Sequence, residues 1–131
     1  MGNSTDIGRL GEAWEAMSAR GDLSVLAAML APEAKWRGVE DGPGCENRQM
    51  ILAIMERNLS DGLAGRIEET IKVGGRILVA FRPARPRDDG RPLDQGLAYV
   101  VVTMLDGQVI EMKGCVDRAA ALRYARSGGS V

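Results

Sequence analysis

Apolar residues in the first part of the chain recur every three or four positions, which is the spacing of amphipathic helices. A first helix is predicted around residues 7–17, and Gly21 is expected to end it. Asp22 can cap a second helix, which Pro32 should end. A third helix follows the loop at residues 40–47 and leaves through the sequence "SDG". The apolar positions on these three helices are Ile7, Leu10, Trp14, Met17, Leu23, Leu26, Leu30, Ile51, Ile54 and Met55.

From residue 66 onward the period of the pattern changes to two, which indicates β-strands. Gly74 and Gly75 join the segments "RIEETIKV" and "RILVAFR", and Asp106 and Gly107 join "GLAYVVVTML" and "QVIEMKGCV". Both joins suit type I′ hairpins, because these turns need positive φ angles at both central residues. An earlier strand is predicted in "AKWRGV", and Asp117 can cap a last helix, "RAAALRYA".

Helices followed by an antiparallel meander indicate an α+β fold, with the helices gathered on one face of the sheet. The 131 residues suit one domain, large enough for a hydrophobic core without disulfide or metal. We expect the core to cover residues 6–124 and residues 125–131 to form a flexible tail.

Composition narrows the classes of partner and cofactor. Seventeen basic residues nearly balance eighteen acidic ones, which argues against nucleic acid or an anionic membrane as the main partner. The chain has no histidine, and Cys45 and Cys115 form no C-x-x-C pair, so no metal or cofactor is expected. The N-terminus has no apolar signal region and no run could span a bilayer. Free thiols in a reducing cytoplasm are therefore the expectation.

Two stretches resemble one known superfamily. The segment "EAWEAMSARGDLSVLAAMLAPEAKW" is similar to the opening of nuclear transport factor 2-like proteins, in which "G-D-L" links the first two helices and a strand follows "A-P-E-A". The segment "DGQVIEMKGCVDRAAALRY" is similar to the end of the SnoaL-like branch, with its D-G hairpin, alternating strand and helix-starting Asp. The resemblance runs from about Asp6 to Tyr124.

This resemblance implies a cone-shaped barrel, in which a strongly curved antiparallel sheet wraps around the N-terminal helices and leaves an apolar pocket at its open end. Relatives include polyketide cyclases, ketosteroid isomerase, limonene-epoxide hydrolase and noncatalytic binders, so the fold alone names no chemistry. The outer face of the sheet commonly pairs with a second copy in this superfamily, which implies a homodimer.

Counting back from the Asp106 turn places Tyr99 opposite Gly114. Tyr99 and Val101 then share a face with Met112, and we assign this face to the pocket. The assignment follows relatives such as limonene-epoxide hydrolase, in which an acid commonly lies three residues before the terminal Asp. Gly114 holds that position here, and it lets the Tyr99 ring lie across the strand or permits a bulge in a curved sheet.

The same counting across the first hairpin makes Glu69 and Arg82 diagonal neighbours among apolar residues. Glu69 could be a general base oriented by Arg82, with Tyr99 beside them, or the two charges could form a structural ion pair. Trp14 and Trp36 could line a ligand cavity together with Val101, Met112 and Gly114, or they could simply fill the core.

The opposite face of the last hairpin is too apolar to leave in water, and we expect it to form the homodimer interface. Its residues are Ala98, Val100, Val102, Met104, Val109, Glu111, Lys113 and Cys115. Three functions remain open. The chain could bind a small apolar or weakly polar ligand, act as an isomerase, cyclase or hydrolase through Glu69, Arg82 and Tyr99, or serve as a noncatalytic dimeric interaction module.

Overall fold

Helices come first in the chain and strands dominate its second half. A computed structural model describes residues 2–38, 44–60, 65–83 and 97–127. Within these ranges the elements are α1 (Gly2–Arg20), α2 (Ser24–Met29), β1 (Leu30–Arg37), α3 (Arg48–Ser60), β2 (Gly65–Val73), β3 (Arg76–Pro83), β4 (Ala98–Leu105), β5 (Gln108–Cys115) and α4 (Arg118–Ser127). This order confirms the predicted α+β class.

The second helix is shorter than predicted. Leu23 holds the N-cap position of α2 without a side-chain hydrogen bond, so the predicted cap Asp22 lies one residue earlier, where it accepts a hydrogen bond from the Ser24 backbone N–H at 2.9 Å. Leu30, however, has an extended backbone with φ −76° and ψ 131°. Pro32 disfavours helical geometry in the residue before it, and the chain from Leu30 onward pairs with β5 instead.

The sheet has the strand order β1-β5-β4-β3-β2. The three pairs made by β2, β3, β4 and β5 are antiparallel, whereas β1 lies parallel to β5. The sheet is therefore mixed and open, whereas the sequence predicted an antiparallel barrel. The predicted pairing of the last two strands through Asp106 and Gly107 is confirmed.

Two β-bulges set the register of the β2–β3 hairpin and of the β4–β5 hairpin. In β5, Ile110 is an extra residue, because Met104 pairs with Val109 while Thr103 pairs with Glu111. In β2, Glu68 is extra, because Ile67 pairs with Phe81 while Glu69 pairs with Ala80. Each bulge exchanges the faces of all residues beyond it, since side chains alternate along a strand.

The bulge at Ile110 overturns the predicted pairing of Tyr99 with Gly114. Tyr99 lies opposite Cys115, and Gly114 lies opposite Val100. Pairing of Tyr99 with Gly114 would require a β5 strand without an extra residue.

The sheet is covered on both faces. Its inner face packs against α1, α2 and α3 through a cluster that includes Leu10, Leu26, Ile51, Val102 and Met112. Its outer face packs against α4 through a second cluster, Leu78, Ala80, Tyr99, Val101, Cys115, Ala121 and Ala125. The expectation that all helices gather on one face is therefore wrong for α4.

The predicted dimer surface lies inside the protein. Val100, Val102 and Val109 are 3%, 0% and 0% exposed and belong to the inner core, because the helices cover the face that was assigned to a second copy. Conversely, Tyr99 and Val101 lie on the outer face rather than on the face of a helix-lined pocket. A homodimer and a cytoplasmic location stay predictions, and the homodimer has no assigned surface.

Polar contacts fix α4, whose buried residues include the small side chains of Ala121 and Ala125. Near the end of the helix, the Tyr124 hydroxyl donates a hydrogen bond to the Glu111 carboxylate. The Arg76 guanidinium lies 5.7 Å from the centroid of the Tyr124 ring. Burial, together with the bond to Glu111, raises the pKa of Tyr124 to about 12.

The helix also extends beyond the predicted end of the core. Ala125 is 3% exposed and α4 runs to Ser127, so the start of the predicted tail is helical. Residues 128–131 of that tail lie outside the described ranges. Among the described helices, none combines the length and the apolarity that crossing a membrane requires.

The two hairpin turns differ in backbone geometry. Asp106 and Gly107 both have positive φ, 53° and 80°, which agrees with the predicted type I′ turn. In the other turn only Gly74 has a positive φ, 59°, so that turn matches type II′ rather than type I′.

The Gly107 turn makes a first prediction. Gly107→Ala should lower the free energy of unfolding by about 1–2 kcal/mol, because a side chain disfavours the left-handed backbone. Gly75→Ala is the matched control, since Gly75 is a turn glycine without positive φ and a Cβ there meets no atom within 4 Å. Urea unfolding measures both. Equal losses in the two variants would contradict the assigned turn geometry.

The Tyr124 contact makes a second prediction. The pKa of about 12 in the folded state lies above the ordinary value of 10, so this contribution to stability is complete below pH 10 and is lost as pH rises through 12. Tyr124→Phe should cost about 1–2 kcal/mol at neutral pH. That difference from wild type should shrink as the pH rises from about 10 to about 12 in urea titrations. A difference that stays constant over this range would rule out the raised pKa of Tyr124.

Candidate functional site

A cleft of about 500 Å³ lies between α1 and β2. One face of α1 forms one wall, and the first half of β2 forms the other. The lining residues are Ile7, Gly11, Trp14, Glu15, Ser18, Ala19, Gly65, Arg66, Ile67 and Thr70. Gly11 leaves much of this space open, since a Cβ built there meets no atom within 4 Å.

The floor of the cleft is apolar and fixed. Trp14 is only 7% exposed, and its ring centroid lies 4.8 Å from that of Phe81 at an interplanar angle of 52°. Ile67 lies beside it, because the bulge at Glu68 turns this residue toward the helices. At one end the Ser18 hydroxyl donates a hydrogen bond to the Gly65 carbonyl oxygen and joins the two walls.

The rim of the cleft is polar and solvent-exposed. Arg66 Nε lies 2.9 Å from Glu68 Oε2, and Arg82 Nε lies 3.5 Å from the same oxygen. The hydrogen bond from Arg66 keeps the pKa of Glu68 below its ordinary value, and the charge of Arg82 adds to this effect. Glu15 is exposed and has no ion-pair partner among the residues that the structure describes.

The three predicted catalytic residues, Glu69, Arg82 and Tyr99, share the outer face of the sheet. Glu69 forms an ion pair with Arg118 of α4, with Oε2 and Nη2 3.2 Å apart, whereas Arg82 pairs with Glu68. The predicted ion pair between Glu69 and Arg82 is therefore wrong. The bulge supplies the reason, because it places an extra carboxylate within reach of Arg82.

None of these three residues lines the cleft. Tyr99 is 5% exposed and packs beneath α4 in the outer cluster. The Glu69 side chain is 41% exposed. The structure thus brings Glu69, Arg82 and Tyr99 to the outer face of the sheet, and none of their side chains lines the cleft.

Of the predicted ligand-binding residues, only Trp14 lines the cleft. Trp36 lines a separate depression of about 10 Å³ between β1 and α3, beside Cys45. Val101 is buried in the outer cluster, and Met112 is buried in the inner core. Gly114 is also buried, within β5. These four residues therefore belong to the packing of the protein or to a space too small for a ligand.

Both cysteines are buried free thiols. Burial raises the pKa of Cys45 and of Cys115, so the thiolate form of each is disfavoured. Across the described part of the chain, no group of three or more His, Cys, Asp or Glu residues could hold a metal ion.

The sequence predicted only one of the residues that line the cleft, Trp14, as a ligand-binding residue. Gly11, Glu15 and Ser18 lie three or four positions from Trp14 or from one another, so helical spacing could have placed them on the same face of α1. Thr70 and Arg66 carry no such signal, because their place beside α1 depends on how the helix packs on the edge of the sheet.

The ion pairs on the outer face make a third prediction. A double-mutant cycle of Glu69→Gln with Arg118→Gln should give a coupling energy of about 0.2–1 kcal/mol, the usual size for exposed pairs. The same cycle with Arg82→Gln should give a smaller value, because Arg82 pairs with Glu68. Urea unfolding at low salt measures both cycles. A larger coupling with Arg82 than with Arg118 would refute the register of β2.

Comparison with solved structures identifies the architecture. A protein from Jannaschia sp. CCS1, provisionally designated a SnoaL-like polyketide cyclase, has 21% identity and a TM-score of 0.63, with 95% of this chain and 91% of that chain covered. A nuclear transport factor 2-like protein of unknown function from Burkholderia pseudomallei has 21% identity and a TM-score of 0.63, with coverage of 90% and 95%.

A de novo designed protein with a curved β-sheet is also similar, at 12% identity and a TM-score of 0.69, with coverage of 91% and 90%. No family model matches the sequence, and no curated protein does. Likeness at such low identity concerns the fold and not the chemistry. The chain has the cone-like nuclear transport factor 2-like fold that its sequence predicted.

Proposed function

We propose that this chain is a SnoaL-like protein that binds a small amphiphilic molecule in the cleft between α1 and β2. The observation that carries the proposal is the combination of an apolar floor, Trp14 and Ile67, with a polar rim, Glu15, Arg66 and Thr70. Ligand sites are commonly concave and apolar, with a few polar groups that fix orientation. A cleft of about 500 Å³ lies within the usual size range of such sites.

Binding fits this cleft better than catalysis does. Its ionisable side chains, Glu15 and Arg66, are exposed at the rim. General acid–base chemistry is favoured by groups held inside a site from which water is excluded, where electrostatic effects are strong. A rim of exposed charges instead suits recognition of the polar end of a ligand. The residues considered for an isomerase, cyclase or hydrolase do not line the cleft.

The interior of the protein supports the same assignment. The space between the inner face of the sheet and the N-terminal helices is filled by side chains from both. They include Met29, Met55 and Met112, which are 1%, 9% and 1% exposed. The space for a ligand therefore lies at the margin of the core, where α1 meets the edge strand β2. A ligand there would contact Trp14, and the indole N–H of Trp14 offers a direct spectroscopic signal.

The fourth prediction tests this cleft by filling it. In wild type, 3-phenylpropan-1-ol should shift one of the two indole N–H signals in a ¹H–¹⁵N NMR spectrum, with a Kd of about 1 mM for a probe of this size. Gly11→Leu should abolish the shift, because its side chain occupies the open space.

Gly8→Leu is the matched control. Gly8 lies in the same helix, is exposed and does not line the cleft, so the substitution makes the same gain in helix propensity without filling the site. Binding should survive in this variant. If wild type shows no shift, or if both variants lose binding equally, the proposed cleft is wrong.

A further inference from the structure

The charged side chains at the rim of the cleft differ in whether they have an ion-pair partner. Glu15 is exposed, and the α1 positions one turn away from it are Gly11, Glu12, Ser18 and Ala19, none of which is a cation. Salt bridges along a helix need a cation three or four positions away, so Glu15 has no partner within its own helix. It also has none among the other residues that the structure describes.

The cation at the rim is already engaged. Arg66 Nε lies 2.9 Å from Glu68 Oε2, on the strand that forms the opposite wall. Arg82 contacts the same oxygen at 3.5 Å and adds to this cluster. An anionic ligand would therefore have to compete with Glu68 for Arg66, whereas a cationic ligand would meet a carboxylate that no cation of the described residues contacts.

One further group at the cleft favours a cation over a neutral group. The indole of Trp14 lines the cleft, and an ammonium close to an aromatic face is attracted by the ring quadrupole. Thr70 also lines the cleft, and a hydroxyl can accept a hydrogen bond from an amine or from an alcohol, so this residue does not discriminate between them.

We propose that the cleft selects ligands that carry a protonated amine on an apolar body. The apolar body packs against Trp14 and Ile67, and the ammonium lies at Glu15. This inference rests on the proposed function, because it names the ligand class for the same cleft.

The fifth prediction compares three probes that differ chiefly in their end group: 3-phenylpropylamine, 3-phenylpropan-1-ol and 3-phenylpropanoate. At neutral pH and low salt the amine should bind about threefold to fivefold more tightly than the alcohol, as expected for an exposed charge pair. The carboxylate should bind most weakly. Raising the salt to about 0.5 M should reduce the preference for the amine, since exposed charges are screened. The shift of the Trp14 indole N–H signal measures each Kd.

Two glutamate variants identify the group responsible. Glu15→Gln should remove the preference for the amine, so that the Kd values of the amine and the alcohol become equal within this variant. Glu12→Gln removes the same charge one turn earlier, at a residue that does not line the cleft, and should retain the preference. Loss of the preference in Glu12→Gln but not in Glu15→Gln would overturn the assignment.

The outcomes separate the two proposals. If the alcohol binds but the amine binds no more tightly, or if the carboxylate binds best, the amine inference is wrong and the cleft remains a binding site. If none of the three probes binds, the cleft is not a site for such molecules and the proposed function fails as well.

Discussion

The extra residue in β5 is the constraint on which the rest of the packing depends. Without the bulge at Ile110, Glu111 and Lys113 would share a face with Val100 and Val102, beneath the N-terminal helices. Removing a charged group from water without a partner costs several kcal/mol or more. With the bulge, Val109 and Met112 both enter the inner core, and the two charges turn to the other face.

On that outer face both charges find partners. Glu111 lies 2.9 Å from Arg37 and accepts a hydrogen bond from Tyr124, and Lys113 Nζ donates to the Gly38 carbonyl oxygen at 2.6 Å. The bond to Tyr124 is also one of the contacts that fix α4. A single backbone irregularity therefore keeps the core apolar and at the same time supplies a polar anchor for the last helix. The bulge in β2 acts in the same way for Ile67, which it turns toward Trp14.

The sequence predicted the elements well, because helical and strand periodicities are local properties. The turn at Asp106 and Gly107 was also predictable, because Asp and Gly are among the residue types that adopt positive φ angles in such turns. The sequence did not predict which side chains of β5 face the inner core. Whether a strand carries an extra residue depends on what packs above and below it. Trp14 was predicted to line a cavity because it is a large aromatic residue, whereas Thr70 and Arg66 line the cleft only because α1 packs beside β2. Glu69 was given the wrong partner because Arg118 lies in a helix whose position the strand pattern does not reveal.

The parallel pairing of β1 with β5 joins distant parts of the chain. Leu30 pairs with Val109, and Arg9 Nη1 donates to the Gly107 carbonyl oxygen at 3.1 Å. Contacts between residues so far apart in sequence slow folding, because a long loop must close before they form. During synthesis on the ribosome, the apolar face of α1 and the inner side of β1 are not fully covered until β5 has been made. Apolar surface exposed in this way promotes aggregation of an incomplete chain, although the same surface is covered in the finished protein.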